Sequence, residues 1–195
     1  MDKLQFVLGG ATWINLINTK YISNKQVVDI LLDPLITFQW LEENNLLRES
    51  DVLALENEEL LDQLIEELHS LRHLCKMILS ELKPQGKPSQ DTVDQLKRFV
   101  QQIKVGLTIV SKHENLKLVS EGITARDHVI YNIVYSIIDT LDSISTDRIR
   151  ECEHQDCILY FVDTSKSGKR RWCSMERCGN RQKAAEFYTR KKNKK

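Results

Sequence analysis

The residues CEHQDCILYFVDTSKSGKRRWCSMERC, from Cys152 to Cys178, decide how this chain folds. They hold four of the five cysteines of a 195-residue chain, in two pairs with four residues inside each pair and fifteen between the pairs. Two close pairs on a hairpin-length spacer can bring four thiolates to one tetrahedral Zn²⁺ ion. The spacing therefore predicts one structural zinc site with the ligands Cys152, Cys157, Cys173 and Cys178.

The alternatives for these cysteines are two disulfide bonds or redox chemistry. Disulfides need an oxidising compartment. The opening MDKLQFVLGG has too short an apolar run for a signal peptide, and its charged residues come too early in the sequence. No run of 18 apolar residues is present to span a membrane. We therefore expect a cytoplasmic protein with no membrane partner. His154, between the first two cysteines, could replace a ligand, but we expect an exposed loop histidine.

The residues around the cysteines resemble the bacterial CGNR zinc-finger family. The resemblance is carried by the cysteine pairs, Phe161, the run Asp163–Ser165, RRWCSM at 170–175, CGNR at 178–181, and Lys183. It implies a zinc finger of the treble-clef kind behind an N-terminal domain called ABATE, in proteins regarded as stress-induced transcription regulators. The opening glycines with INLINT at 14–19, and the run 29–41, are similar to that domain. Asn15 replaces the usual acidic residue there, and we expect Asn15 and Asn18 to hydrogen-bond backbone at a helix end.

The formal net charge of zero conceals an uneven distribution. Residues 148–195 contain 14 Lys and Arg against 6 Asp and Glu, a net charge of +8, and residues 1–147 contain 14 against 22, a net charge of −8. The asymmetry predicts an acidic body with a basic, anion-seeking tail, although docking of the tail on the body is an alternative. Only 3 Pro and 7 Gly argue against disorder and against an all-β fold.

Apolar periodicity and capping residues predict a mainly helical body. Ser23 and Gln26 fit a capping box, and Asp33-Pro34 fits a helix start. In the helix that follows Pro34, we expect an apolar face of Leu35, Phe38 and either Leu41 or Leu47, with Trp40 beside it. The predicted helices span 11–18, 27–31, 34–44, 54–83, 89–104 and 124–144.

Two β-rich runs, Leu107–Val110 and Leu116–Val119, flank the four polar residues KHEN and predict a hairpin. A lone hairpin is marginally stable, so we expect this one to pack against helices. The apolar stripe of helix 54–83 could be a dimer seam, but it has fewer than four clean heptads and we expect a wall of the intramolecular core. His69 and His73 lack a metal-binding motif around them and predict a solvated edge.

The finger itself should begin with a knuckle at Cys152 and Cys157. We expect residues 158–162 to pair with 170–173 as a hairpin, and Cys178 to enter the first turn of a helix that starts near Gly179. Arg171, Arg177 and Arg181 could offset the net −2 charge of a zinc ion with four thiolates. Four protein ligands leave no open coordination position and no acid–base constellation is visible, so we do not expect an enzyme.

The basic residues of the finger and its terminal helix point to nucleic acid, with DNA as the expected partner. A single finger is a small recognition surface, so we expect a homodimer. The resemblance suggests that the body senses a small-molecule effector or mediates assembly. The candidate contacts to nucleic acid are Lys169, Arg170, Arg171, Arg177, Asn180, Arg181, Lys183, Arg190, Lys191 and Lys192.

We therefore predict an α+β, mainly α fold. Residues 1–147 form a helical domain with a small β-hairpin, and residues 148–195 form a treble-clef-like zinc finger with a basic C-terminal helix. The function we favour is zinc-dependent DNA binding in transcription regulation. The competing hypotheses are a zinc-stabilised module that binds protein or RNA, and a thiol switch in which oxidation of the ligands ejects zinc.

Overall fold

The computed structural model describes residues 6–112 and 115–192. Helices dominate these ranges, and the strands form small antiparallel pairs rather than one large sheet. The mainly helical fold with small β-hairpins is confirmed, while the domain boundary near Asp147 stays a prediction. None of the described helices combines the length and apolarity that a bilayer crossing requires.

The first helix lies at the centre of the body. α1 (Thr12–Ile17) follows the turn at Gly9-Gly10 and matches the predicted helix 11–18. Its Trp13, Ile14 and Leu16 are fully buried because α1 contacts α4, α6 and the last strand. A short apolar run near the N-terminus is thus enclosed by later parts of the chain.

The helix predicted over 27–31 is wrong. A hairpin takes its place, with β1 (Lys20–Ser23) paired to β2 (Gln26–Asp29). Asn24 and Lys25 have φ angles of 50° and 64°, the left-handed conformation that a two-residue hairpin turn requires. Ser23 and Gln26, the expected capping box, face each other across this turn, and only a 3₁₀ turn over Ile30–Leu32 follows.

The helix start at Asp33-Pro34 is confirmed in α2 (Pro34–Glu43). The Asp33 carboxylate accepts from the N–H groups of Leu35 and Ile36 at 3.0 and 3.1 Å. Its buried face differs from the expected one, because Trp40 and Leu41 are fully buried whereas Leu35 is 77% exposed.

The long predicted helix 54–83 is confirmed as one helix, which starts four residues later than expected because a separate short helix precedes it. α3 (Glu49–Ala54) ends before Asn57, whose side chain caps α4 (Glu58–Gln85) by accepting from Glu59 and Leu60 N–H groups. The apolar stripe of α4 packs inside the chain, as expected. Its buried apolar residues are Leu61, Leu64, Ile65, Leu68, Leu71, Leu74, Cys75, Ile78 and Leu82.

The predicted hairpin is present and longer than expected. After α5 (Gln90–Gln101), capped by Ser89, β3 (Val105–Lys112) pairs with β4 (Asn115–Gly122). The middle of the predicted KHEN turn, residues 113–114, lies outside the described residues. The expectation that this hairpin packs against helices fails for its outer part: most of its side chains beyond Gly106 are exposed.

α6 (Ala125–Ser143) is the predicted last helix of the body, and the Thr124 hydroxyl caps it by accepting from Asp127 N–H at 3.1 Å. Its face of Val129, Ile130, Ile133 and Ile137 is fully buried. Ile138, which we expected to be inward, is exposed instead.

The final quarter of the chain packs on this body. A 3₁₀ turn (Thr146–Arg148) leads into β5 (Ile149–Glu151), which pairs with β6 (Tyr160–Val162). On the body side, Val162 N–H donates to the Gly9 carbonyl at 2.8 Å. A π-helical turn (Met175–Gly179) then opens α7 (Asn180–Lys192), close to the predicted start of the terminal helix.

The expected pairing of residues 158–162 with 170–173 is wrong. Strand β6 pairs with β5, so the first two cysteines lie in the connection between two strands that precede the second pair. Arg170 N–H donates to the Asp163 carboxylate at 2.9 Å, and a side chain thereby takes the place of a strand partner.

Candidate metal centre

Four thiols converge at one point between the finger and the body. The Sγ atoms of Cys157 and Cys173 lie 3.8 Å apart, and those of Cys173 and Cys178 lie 3.6 Å apart. All four Sγ atoms, that of Cys152 included, fall within 4.8 Å of one another. Zn–S bonds of about 2.3 Å in a tetrahedron require thiolates about 3.8 Å apart. The cluster therefore fits one zinc ion.

Local backbone structure holds each pair of ligands. Cys152 directly follows β5, and its N–H donates to the Leu159 carbonyl at 2.9 Å. Cys157 closes a turn by donating its N–H to the His154 carbonyl at 2.9 Å. This arrangement is the predicted knuckle.

The second pair is held by the start of the π-helical turn. Cys173 N–H points at the Cys152 sulfur at 3.4 Å, which suits a thiolate. Ser174 caps the turn by accepting from Arg177 N–H at 3.4 Å, and Cys178 N–H donates to the Ser174 carbonyl at 3.1 Å. A cap and a single turn thus set the separation of the second pair.

The electrostatics of the cluster favour a cation. Hydrogen bonds from the other three thiols, chiefly Cys157, lower the pKa of Cys152 far below its ordinary value. Hydrogen bonding with Cys152 and burial raise the pKa of Cys157 and of Cys173 well above theirs. Four thiolates cannot coexist at this spacing unless a dication stabilises them, and a zinc ion does so when bound.

His154 lies in a different environment from the expected one. It is buried rather than an exposed loop residue, and its Nδ1 accepts from Asp156 N–H at 3.2 Å. The four-thiol cluster does not include it. Its ring therefore shapes the turn between Cys152 and Cys157.

A buried carboxylate organises the loop between the two ligand pairs. Asp163 accepts from the N–H groups of Ser165 and Arg170, both at 2.9 Å. The Arg148 guanidinium donates to the backbone carbonyls of Asp163 and Ser165 at 3.1 and 2.8 Å. We did not single out Arg148 from the sequence, because its partners become neighbours only in the folded chain.

Arg170 and Arg171, two predicted nucleic-acid contacts, have partners within the finger. Arg170 lies over the Phe161 ring at 4.4 Å and donates to the carbonyls of Trp172 and Cys173. Arg171 pairs with Glu153 at 2.5 Å and stacks 4.8 Å from the Trp172 ring centroid. Both residues therefore brace the fold, although the Arg171 side chain is still more than half exposed.

Arg177 and Arg181 lie beside the thiols. They line a cleft of about 370 Å³ together with Cys157, Cys173 and Cys178. Two guanidinium groups at this position bring positive charge towards a zinc site with four thiolates, as the sequence suggested for them. Arg181 is also exposed, so it can face a partner.

The remaining predicted nucleic-acid contacts are exposed where the structure describes them. Lys169 lies in the loop before Arg170, and Asn180 begins α7. Lys183, Arg190 and Lys191 follow along α7, and the side chain of Lys192 and the residues 193–195 lie outside the described part of the chain. Exposure leaves these cations accessible to a polyanion.

Two aromatic residues of α7 are also exposed, and we did not name them as site residues. Phe187 and Tyr188 are 60% and 69% exposed, with their rings in edge contact at 5.8 Å. Large aromatic residues among basic ones on an exposed helix were the signal in the sequence. Two adjacent exposed rings offer an apolar surface to a partner.

A larger cleft of about 1110 Å³ lies between α4 and β5. Its charged lining is mixed: Lys20, Lys76, Lys83 and Arg150 lie there together with the carboxylates of Asp147, Glu151 and Glu153. Burial lowers the pKa of Lys76, and the nearby charges of Arg72 and Lys20 add to this effect.

Comparison with protein families supports the metal assignment. Residues 148–191 match the family model described as the CGNR zinc finger, which covers less than a quarter of the chain. The curated proteins contain no match to this chain. The matched segment and the four clustered thiols together identify a zinc-binding finger.

Proposed function

From the zinc-binding CGNR finger at residues 148–191, we propose that this chain binds duplex DNA and regulates transcription. The observation that supports the proposal is α7, an exposed helix of 13 residues with several cations and Glu186 as its acidic residue. Its length of about 20 Å suits the DNA major groove, which admits an α-helix.

Zinc in this proposal is structural. Four protein thiolates fill a tetrahedral ion and leave no position for water or substrate. The ion supplies the cross-link that keeps the loop at Lys169 and the start of α7 next to each other. We accordingly propose a binding protein rather than an enzyme.

The cations divide into two groups by their surroundings. Arg170 and Arg171 contact other residues of the finger. They would therefore stabilise the finger rather than contact the DNA. Lys183, Arg190 and Lys191 are exposed and would contact phosphates, which position a protein without reading sequence. Asn180, at the start of α7, is placed to reach a base edge.

The test is fluorescence anisotropy of labelled duplex DNA with full-length zinc-loaded protein across a salt series. We expect log K to fall with log salt, and the variant Lys183→Glu/Lys191→Glu to reduce the slope by about 2, since each lost phosphate contact removes about 0.9. The matched control Lys97→Glu/Arg98→Glu makes the same charge change on α5 and should retain the wild-type slope. Absence of binding at low salt, with one zinc per chain, would refute the proposal.

Single-stranded RNA is the second candidate, favoured by Phe187 and Tyr188. Nucleic-acid bases stack on exposed aromatic rings when they are not paired in a duplex. The same titration with single-stranded RNA of equal length distinguishes the two candidates. Tighter binding to RNA than to duplex DNA would replace the first proposal with the second.

We further propose that the cleft between α4 and β5 binds the effector of the body, an anionic small molecule. Its lining holds the cations Lys20, Lys76, Lys83 and Arg150 and the carboxylates Asp147, Glu151 and Glu153, and its wall includes β5 and Cys152 of the finger. A ligand bound in this cleft would contact both the body and the finger. Inorganic pyrophosphate is a suitable probe, and it should raise the melting temperature of the wild type but not of Lys76→Glu. An equal rise in both would exclude the cleft.

A further inference from the structure

The hairpin of β3 and β4 gathers its apolar side chains on one face. Ile109 is paired with Leu118 in the register, and side chains paired across an antiparallel hairpin share a face. Alternate residues along each strand share that face too. This apolar hairpin face consists of Val105, Leu107, Ile109, Leu116 and Leu118, together with Ser111 and Ser120.

The apolar hairpin face is in contact with water. Its five apolar side chains are between 47% and 75% exposed, and none of its side chains is charged. The opposite face is mixed, with Thr108, Val110 and Lys117 among its residues. Soluble monomers rarely expose contiguous apolar patches of more than a few hundred Å².

The hairpin also lacks internal support. Its base is fixed, because Ile123 N–H donates to the Lys104 carbonyl at 3.0 Å and Arg48 donates to the Gly122 carbonyl at 2.9 Å. Beyond this base, strand residues on both faces are exposed or partly exposed. A two-stranded hairpin with no covered face is marginally stable in water. A packing partner would cover a face of the hairpin that the rest of the fold leaves exposed.

We propose that the apolar hairpin face is the interface of a homodimer, in which two hairpins pack face to face about a two-fold axis. Each of the five side chains offers about 100 Å² of apolar surface, or about 500 Å² per protomer. The pair would bury about 1,000 Å², and the adjoining serines and backbone bring this towards the lower end of specific interfaces.

A second copy suits this face better than a partner of different chemistry. An uncharged apolar surface meets no like-charge repulsion when it faces itself, although the body of the chain carries a net charge of −8. Two-fold symmetry matches each patch with its own copy, and two small sheets can pack face to face about 10 Å apart. A highly charged partner would find no complementary charge on the face.

The test is sedimentation velocity of full-length zinc-loaded protein over a roughly 100-fold range of concentration, because dimers dissociate on dilution. The wild type should sediment at twice the chain mass of 22.7 kDa. Ile109→Lys/Leu118→Lys places like charges in the interface and should raise the dimer dissociation constant at least about 100-fold. The matched control Thr108→Lys/Val110→Lys, on the opposite face of the same hairpin, should remain dimeric.

Circular dichroism of each variant checks that the fold is retained, and the milder Leu107→Ser/Leu116→Ser should also weaken the dimer. A wild type that stays monomeric at every concentration would overturn the inference. So would a dimer that survives Ile109→Lys/Leu118→Lys, or one that both double lysine variants disrupt equally. Failure of DNA binding has no bearing on this result, because the inference depends on the hairpin alone.

Discussion

The side-chain amide of Asn18 brackets the backbone of Tyr160. Its Nδ2 donates to the Tyr160 carbonyl at 2.8 Å, and its Oδ1 accepts from the Tyr160 N–H at 2.9 Å. Asn18 follows α1 and Tyr160 begins β6, so one buried side chain joins the start of the body to the finger. Asn18 hydrogen-bonds to backbone, but in strand β6, 142 residues away, rather than at a helix end as expected.

Asn18→Ala should therefore lower the free energy of unfolding by about 2–3 kcal/mol, because two backbone groups lose their partner. Urea denaturation of zinc-loaded protein, followed by circular dichroism, measures the change. Gln101→Ala, at an exposed helix end, should change it by less than about 0.5 kcal/mol. A similarly small effect at Asn18 would show that the finger is not held by this contact.

Zinc content should follow the four clustered cysteines and not the fifth. Cys178→Ser removes a ligand and should reduce bound zinc from one per chain to near zero, measured by elemental analysis with protein quantified on the same sample. Cys75→Ala is the matched control, since Cys75 is fully buried in α4 away from the cluster, and burial raises its pKa. Zinc lost from Cys75→Ala, or kept in Cys178→Ser, would contradict the assignment.

The ion pair of Arg72 and Asp29 should be a major source of stability at neutral pH. Arg72 binds both carboxylate oxygens, at 2.6 and 2.7 Å, and also contacts Thr19 and His69. Removing one partner of such a buried pair costs about 3–5 kcal/mol. Arg72→Met should be destabilised by this amount in urea at pH 7, and Asp29→Asn/Arg72→Met should recover part of the loss.

The contribution of Asp29 should also depend on pH. Burial acts to raise the pKa of Asp29, but hydrogen bonds from Arg72 outweigh it and hold the folded-state pKa below its ordinary value. Its stabilisation is therefore present above the unfolded pKa of about 3.9 and is lost as the pH falls through the folded pKa. The stability difference between wild type and Asp29→Asn, compared at equal pH, should shrink below about pH 4. A constant difference would contradict this assignment.

Two neighbouring glycines at the hairpin base should respond differently to alanine. A Cβ at Gly122 would lie 2.0 Å from the His128 backbone nitrogen, whereas one at Gly106 would meet its nearest neighbour, an Ile123 side-chain carbon, at 4.0 Å. Gly122→Ala should therefore cost at least about 2 kcal/mol in thermal or urea unfolding. Gly106→Ala should stay within about 1 kcal/mol of the wild type, and equal effects would refute the close approach of β4 to α6.

The aromatic pair on α7 should affect binding and leave the fold unchanged. Phe187→Ala/Tyr188→Ala should weaken nucleic-acid binding by about 1–3 kcal/mol for each ring that stacks on a base. Zinc content and helicity should not change, because both rings are exposed. The control Lys97→Glu/Arg98→Glu should retain wild-type affinity, and unaltered binding by the aromatic variant would exclude stacking.

The zinc site could be predicted because its information is local. The pairs 152/157 and 173/178 each close within one turn, so their spacing alone indicates a shared ion. The helix starts capped by Asp33 and Thr124 could likewise be predicted from a few adjacent residues. Local rules fix such features whatever the rest of the chain does.

The wrong predictions concern a turn with unusual residues and features that depend on residues far apart in the sequence. Asn24 and Lys25 adopt left-handed angles without a glycine, so the β1–β2 hairpin gave no turn signal. The partner of β6 precedes the first cysteine, and the Asp163 carboxylate occupies the N–H of Arg170. His154 is buried by chain segments that its neighbours in sequence do not reveal.

The hydrogen bond from Val162 to Gly9 has a consequence for how the protein is made. Helix α1 cannot be enclosed until β6, far later in the sequence, has also been synthesised, because β6 packs against it. The nascent body must therefore keep one side of α1 uncovered until the finger has been made.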